Sequence, residues 1–300
     1  MTYSIVARCP DTGMLGVGIA SHVLAVGRVA VHIEPGTGAV VSQSLPLMAH
    51  GARALRGMGA GLSPSAALEQ SLALDTDARA RQVGVVSASG DGAAHTGDGC
   101  IGYASHVVGE GFCAQANLMA RDGVPQAMAA SFSSGAGDPL DVRLLDALDA
   151  AEHAGGDSRG RQSAALVVVA PQLTGDPLVD RIVDVRVDDH PEPLVELRRL
   201  ASLALANQRL DLADALLACG DVLGASEAYR EAGELAPQHL EFRFWHALAL
   251  AGVGAADEAR AVWQAIDASA ERDRWADLVG RCVAAGLVPP EVTEVLPPAP

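Results

Sequence analysis

TYSIVARCPDTGMLGVGIAS, residues 2–21, is the stretch that decides the fold. Tyr3–Cys9 reads as a strand, PDTG supplies the Pro, Asp and Gly of a turn, and MLGVGIAS returns as a second strand. A strand that begins at the third residue holds a terminus that would otherwise fray. The pattern repeats at once: VAVHIE, the turn PGTG and AVVSQ form a second hairpin. Hairpins imply antiparallel sheets.

Further along, helical periodicity covers Met48–Met58 and Ser63–Leu74, the second opened by Ser63 as N-cap and Pro64 at the first helical position. Strands return in QVGVVSASG, CIGYASHVV and GFCAQANLM, with Thr96-Gly97 read as a turn. Gln126–Phe132 is a short helix. Pro139–Ala154 is a longer one, with Leu140, Leu144, Leu145 and Leu148 on one face and Asp138 as its expected cap. After the loop GGDSRGRQ come the strands SAALVVVAP and RIVDVRVDD, and then a Leu-rich helix expected to open at Asp189 or His190, with Pro191 at its first position. This order lacks the strict β-α-β alternation of a parallel sheet. Several strands are apolar on both faces, so both sides of each sheet need cover. The expectation is an α+β fold: two stacked antiparallel sheets with helices outside.

From residue 193 onward the patterns are helical. Gly220 and Gly254, Ala225 and Ala259, and Tyr229 and Trp263 each stand 34 residues apart, and Pro237 follows the first unit. This resembles tetratricopeptide repeats, in which small residues let paired helices approach and an aromatic packs between them. The expected domains are residues 1–192 for the sheets, 193–287 for a small all-α tetratricopeptide-like domain, and 288–300 for a Pro-rich disordered tail.

Length and composition fit this plan. The 300 residues suit two domains, and 49% hydrophobic content with mean hydropathy +0.21 supplies a core. All 21 basic residues are arginine, against 37 acids, for a net charge of −16 spread over both halves. No basic stripe exists to neutralise phosphates, which speaks against nucleic acid and anionic membrane as partners. Five cysteines, an odd number with no C-x-x-C spacing, point to a reducing cytoplasm. No basic-apolar leader and no run of 18 apolar residues is found. Asp188, Asp189 and His190 alternate faces and cap a helix better than they chelate. No zinc spacing, P-loop or nucleophile elbow is present, so no cofactor or metal is expected.

Thr2 is the candidate nucleophile. Once Met1 is removed, its own α-amine, with an ordinary pKa of about 7.7–8.0, can take the hydroxyl proton. Ser4, two residues on and on the same strand face, is the alternative. Asn117 in AQANLMA is a candidate oxyanion donor. Ser21 and His22 at the end of the second strand, and Ser42 in the fourth, are candidate substrate contacts.

Four stretches, TYSIVARCPDTGMLGVGIAS, AQANLMA, GGDSRGRQSAALVVV and RVDDHPEPLVELRRL, resemble the bacterial domain-of-unknown-function family 1028 over roughly residues 2–200. The resemblance implies the α-β-β-α sandwich of N-terminal nucleophile hydrolases, and Thr2 as nucleophile. That wider superfamily, as in proteasome subunits, places a lysine beside the nucleophile, and this chain has none. Arg161 is the expected substitute as positive charge, with Arg8 second; arginine does not act as a base. The expected activity is hydrolysis of a small amide or peptide-like substrate. The alternative is a catalytically silent sandwich whose helical repeats present a surface to a protein or peptide. A homodimer that buries an exposed sheet edge is a further expected partner.

Overall fold

The computed structural model describes residues 2–296 and divides into two compact units at Ala201/Ser202. In the first unit the order is β1 (Thr2–Arg8), β2 (Leu15–Ser21), α1 (Val26–Ala30), β3 (Val31–Glu34), β4 (Gly38–Ser44), α2 (Ala49–Gly59), α3 (Pro64–Ala73), β5 (Arg81–Ser87), β6 (Gly92–Thr96), β7 (Ser105–Gly109), β8 (Phe112–Asn117), α4 (Val124–Ser134), α5 (Leu140–His153), β9 (Ser163–Val169), α6 (Pro177–Asp180) and β10 (Arg181–Val187). A six-stranded sheet runs β10-β9-β2-β1-β8-β7 and a four-stranded sheet runs β3-β4-β5-β6, with every pairing antiparallel. The chain is thus α+β with two antiparallel sheets.

The sheets face each other across a core that joins Val6, Leu15, Val17, Ile19 and Val167 of one to Ala39, Val41 and Val86 of the other. On its other face the six-stranded sheet is covered by α4 and α5; the four-stranded sheet is covered by α2 and α3. Both faces are therefore buried, as the apolar runs require. Gly16 and Gly18 of β2 let α5 lie close: a Cβ at Gly16 would stand 2.5 Å from Leu144 Cδ1 and one at Gly18 3.3 Å from Leu148 Cδ1. Their spacing is a packing device, not a nucleotide loop.

Several boundaries differ from the sequence reading. VAVHIE is split, because Val26–Ala30 forms a helical turn before β3. CIGYASHVV is strand only from Ser105. GAAHT is a strand, so Thr96 closes β6 rather than lying in a turn. Asp138 does not cap α5; Pro139 holds that position with no side-chain cap bond. The Leu-rich helix α7 (Pro193–Ala218) opens at Pro193, two residues after Pro191, and His190 Nδ1 instead accepts the Glu192 N–H at 3.0 Å. Ser63 does cap α3, accepting from the Ala66 N–H.

The second unit holds the rest of α7 with α8 (Val222–Leu235), α9 (Leu240–Gly252), α10 (Ala256–Asp267), α11 (Arg272–Ala284) and α12 (Val292–Val295). Gly220 and Gly254, both at φ +83°, turn the chain into α8 and α10. The Ala225/Ala259 and Tyr229/Trp263 pairs are all buried. The tail is partly structured: Val292 and Leu296 are buried in the helical core, while residues from 297 on lie outside the described ones. Among the described residues no helix is long and apolar enough to cross a membrane.

Candidate functional site

Alternation along β1 places Thr2, Ser4, Val6 and Arg8 on the face toward the second sheet, and Tyr3, Ile5 and Ala7 toward the helices. Register then builds a polar layer at one end. Thr2 pairs with Ser21 on one side and Asn117 on the other, and Ser4 stands opposite Gln115. In the facing sheet Gln43 pairs with Gln82, which pairs with Thr96. Thr2, Ser4, Ser21, Gln43, Gln82, Gln115 and Asn117 are each at most 4% exposed.

Their hydrogen bonds tie the two sheets together. Thr2 Oγ1 donates to Ser21 Oγ at 3.1 Å. The Thr2 carbonyl accepts from Gln43 Nε2 at 3.1 Å and Asn117 Nδ2 at 3.4 Å. Both amides also donate to Gln82 Oε1, at 2.7 and 2.9 Å. Gln82 Nε2 turns its two N–H groups to Thr96 Oγ1, Ala116 O and Ser105 O, which share them. Thr96 Oγ1, accepting from Gln82, also shares a hydrogen bond of 2.8 Å with His106 Nδ1. Burial holds the His106 ring below its ordinary pKa, with His95 adding to it. Ser4 donates to Gln43 Oε1 at 2.8 Å and accepts from Gln115 Nε2 at 3.3 Å. Gly84 leaves the room for Gln115: a Cβ there would stand 2.8 Å from its Oε1.

Two features mark this layer as more than filling. Asn117 Oδ1 and Gln115 Oε1 are buried acceptors without a hydrogen-bond partner among the described residues, a condition that native interiors seldom tolerate. Ser44 and Leu118, which directly follow Gln43 and Asn117 in β4 and after β8, take left-handed backbone at φ +74° and +55°. Such strain costs about 1–3 kcal/mol at each residue and gathers at sites of function.

The expected site residues divide. Thr2, Ser4, Ser21 and Asn117 come together. Asn117 cannot serve as an oxyanion donor, however: its two N–H groups point to Gln82 Oε1 and the Thr2 carbonyl, and its open atom is an acceptor. Ser42 lies one residue out of phase and turns to the helix side, donating to Leu47 O; Gln43 takes the inner place. His22 is held by its backbone N–H on Asp157 Oδ2 at 3.1 Å. Arg161 is engaged elsewhere, with Glu152 at 2.6 Å and with Glu192. Glu152 also accepts from Tyr3 OH at 2.5 Å, so this group belongs to the helix-covered face, and burial with the Glu152 carboxylate drives the Tyr3 phenol well above its ordinary pKa. Arg8 ends β1, six residues or about 20 Å from Thr2.

A second arginine of the same loop, Arg159, is tied through Asp157 to the residue that follows β2. It pairs with buried Asp157 at 2.8 Å, the carboxylate that holds His22. GGDSRGRQ carries both, and its reading as a plain loop hid them. Gln43, Gln82, Gln115 and His106 were missed because polar residues alternating in an antiparallel strand usually face water. Among the described residues no group of three or more His, Cys, Asp or Glu could hold a metal ion.

An antiparallel two-sheet protein with a buried amide layer between its sheets is the class that fold and site define. The model of the family of unknown function DUF1028 matches residues 2–197, and the chain belongs to that family. The crystal structure of protein SPO2555 from Silicibacter pomeroyi, also described as DUF1028, is similar, with 29% identity and a TM-score of 0.60. That likeness covers 66% of this chain and 87% of the other. No curated protein matches.

Proposed function

We propose that the first unit is an α-β-β-α sandwich of the N-terminal nucleophile hydrolase type, and that Thr2, freed of Met1, hydrolyses a small amide or peptide-like substrate. One observation carries the reading: Thr2 is fixed on three sides, by its hydroxyl on Ser21 and by Gln43 and Asn117 on its carbonyl. A residue with a merely incidental place at a strand end needs no such clamp. In the proposed step Thr2 Oγ attacks the acyl carbon while its proton passes to the α-amine. The C–N bond then breaks, and the amine returns the proton to the leaving nitrogen. Water hydrolyses the resulting ester, releasing a carboxylic acid and restoring Thr2. With no lysine in the chain, Arg159 on Asp157 supplies the nearby positive charge. Asn117 Oδ1 suits an ammonium or substrate N–H, and backbone N–H groups are left to hold the oxyanion. Free cysteines throughout the described residues accord with a reducing cytoplasm. Thr2→Ala should abolish turnover of an aryl-amide panel while Thr2→Ser retains part of it; turnover that survives Thr2→Ala defeats the proposal.

A second reading concerns the helical unit as a tetratricopeptide-like peptide binder. It is favoured by a groove of about 450 Å³ lined by Tyr229, Arg230, Arg243 and His246.

A further inference from the structure

At the end of β1 away from Thr2, three hairpin turns converge: residues 9–14 between β1 and β2, 88–91 between β5 and β6, and 110–111 between β7 and β8. A cavity of about 520 Å³ opens there, lined among others by Arg8, Arg143, Ser89, Asp91, Glu110 and Ser133. The size suits a small molecule.

Arg8 shares the inward face of β1, and its side chain runs between two turns kept thin by glycine. A Cβ at Gly13 would stand 3.7 Å from Arg8 Nη2, and one at Gly90 3.6 Å from its Cδ. Arg8 Nε is buried with no hydrogen-bond partner, and no carboxylate pairs with this guanidinium among the described residues. Arg143 of α5 is 8% exposed. Its Nε and Nη2 donate to the Phe132 carbonyl at 3.2 and 3.0 Å, and its guanidinium carbon lies 3.9 Å from the Phe132 ring centre. It too has no carboxylate partner among the described residues.

Two guanidinium groups beside one cavity with no carboxylate between them are costly to keep, because a buried charge needs an opposite one. The chain has more acids than bases, and two of those acids, Asp91 and Glu110, line the same cavity without closing on either arginine. Arginine's planar fork matches a carboxylate bidentately. Exposed carboxylates at the rim favour a cation. A ligand that carries both charges answers both halves.

We propose that this cavity binds a small zwitterion of the amino-acid or short-peptide class, with its carboxylate between Arg8 and Arg143 and its ammonium toward Asp91 and Glu110. The site is separate from Thr2 and does not depend on the hydrolase reading.

Titration calorimetry on the full chain tests it, with free amino acids, dipeptides, their N-acetyl and C-amide derivatives, and inorganic phosphate. Free amino acids against dipeptides distinguishes the two sources of the zwitterion. Capping either end should weaken binding about tenfold or more, and Arg8→Gln should do the same for every carboxylate ligand. Asp91→Asn with Glu110→Gln should weaken only the amine-bearing ligands. Because that second variant alters exposed rim residues, it gives a result even if Arg8→Gln does not fold. Absence of binding across the panel at millimolar concentration overturns the proposal. So does phosphate binding as tightly as the zwitterions, or affinity unchanged in the rim variant.

Discussion

Gln82→Met cuts the amide layer at its junction. Gln82 is fully buried, accepts from Gln43 and Asn117 through Oε1, and has its two Nε2 N–H groups shared among Thr96 and two carbonyls. Methionine nearly conserves the volume, so little of the effect comes from packing. Thr96 keeps His106 as a partner. One N–H on Gln43 and one on Asn117 lose their acceptor in a buried site, at about 1–3 kcal/mol each. The expected loss is therefore about 4 kcal/mol, a large share of the 5–15 kcal/mol typical of a folded protein. With a urea m-value of about 2 kcal/mol/M, the midpoint should fall by about 2 M. All three tryptophans, Trp245, Trp263 and Trp275, lie in the helical unit, so their fluorescence reports that unit alone. The sheets are better followed by hydrogen exchange of peptides from β1 and β5. Gln126→Met on the exposed side of α4 serves as control, expected within about 0.5 kcal/mol. A loss below about 1 kcal/mol in Gln82→Met would refute the reasoning, because the amides would then be finding other partners and would not form one connected layer.

Two further outcomes follow from the same geometry. Gly84→Ala should destabilise the first unit by about 1–3 kcal/mol by pushing on Gln115, read as a shift in the urea midpoint; a neutral effect would mean that Gln115 has room to move. Asp75 is held far below the ordinary carboxylate range, first by its hydrogen bond to Arg81 and then by the Asp77 N–H and His50. A depressed folded-state pKa gives stability that is present above the unfolded value of about 3.9 and is lost as pH falls below it. Stability measured from pH 5 to pH 2 should therefore fall less steeply in Asp75→Asn than in the parent chain, and equal slopes would contradict the assignment.

The antiparallel sheets were legible because short apolar runs and turn residues such as PDTG are local signals. The long helices were legible for the same reason. Short elements such as α1 and β6 were not, since Val26 and Val29 of α1 resemble the strand that follows and GAAHT holds a single β-branched residue, Thr96. At the site, Thr2, Ser4 and Asn117 could be placed from strand ends and alternation. Gln43 was lost to Ser42 by a single residue of phase, which in a strand exchanges faces. Gln82 and Gln115 gave a usable signal that went unread: once both faces of a sheet are expected to be covered, a polar residue in mid-strand has no water to meet and must join an interior network. Arg159 and Asp157 were hidden because a loop's local sequence does not say which strand end it folds against.

The most direct test of Thr2 as a clamped, self-activating nucleophile is peptide mass mapping of the purified protein after incubation with an electrophilic acyl probe. The account predicts a chain that begins at Thr2 and carries one acyl group on that residue, absent in Thr2→Ala and present in Ser4→Ala. A chain that retains Met1, or an adduct that persists in Thr2→Ala, would contradict it.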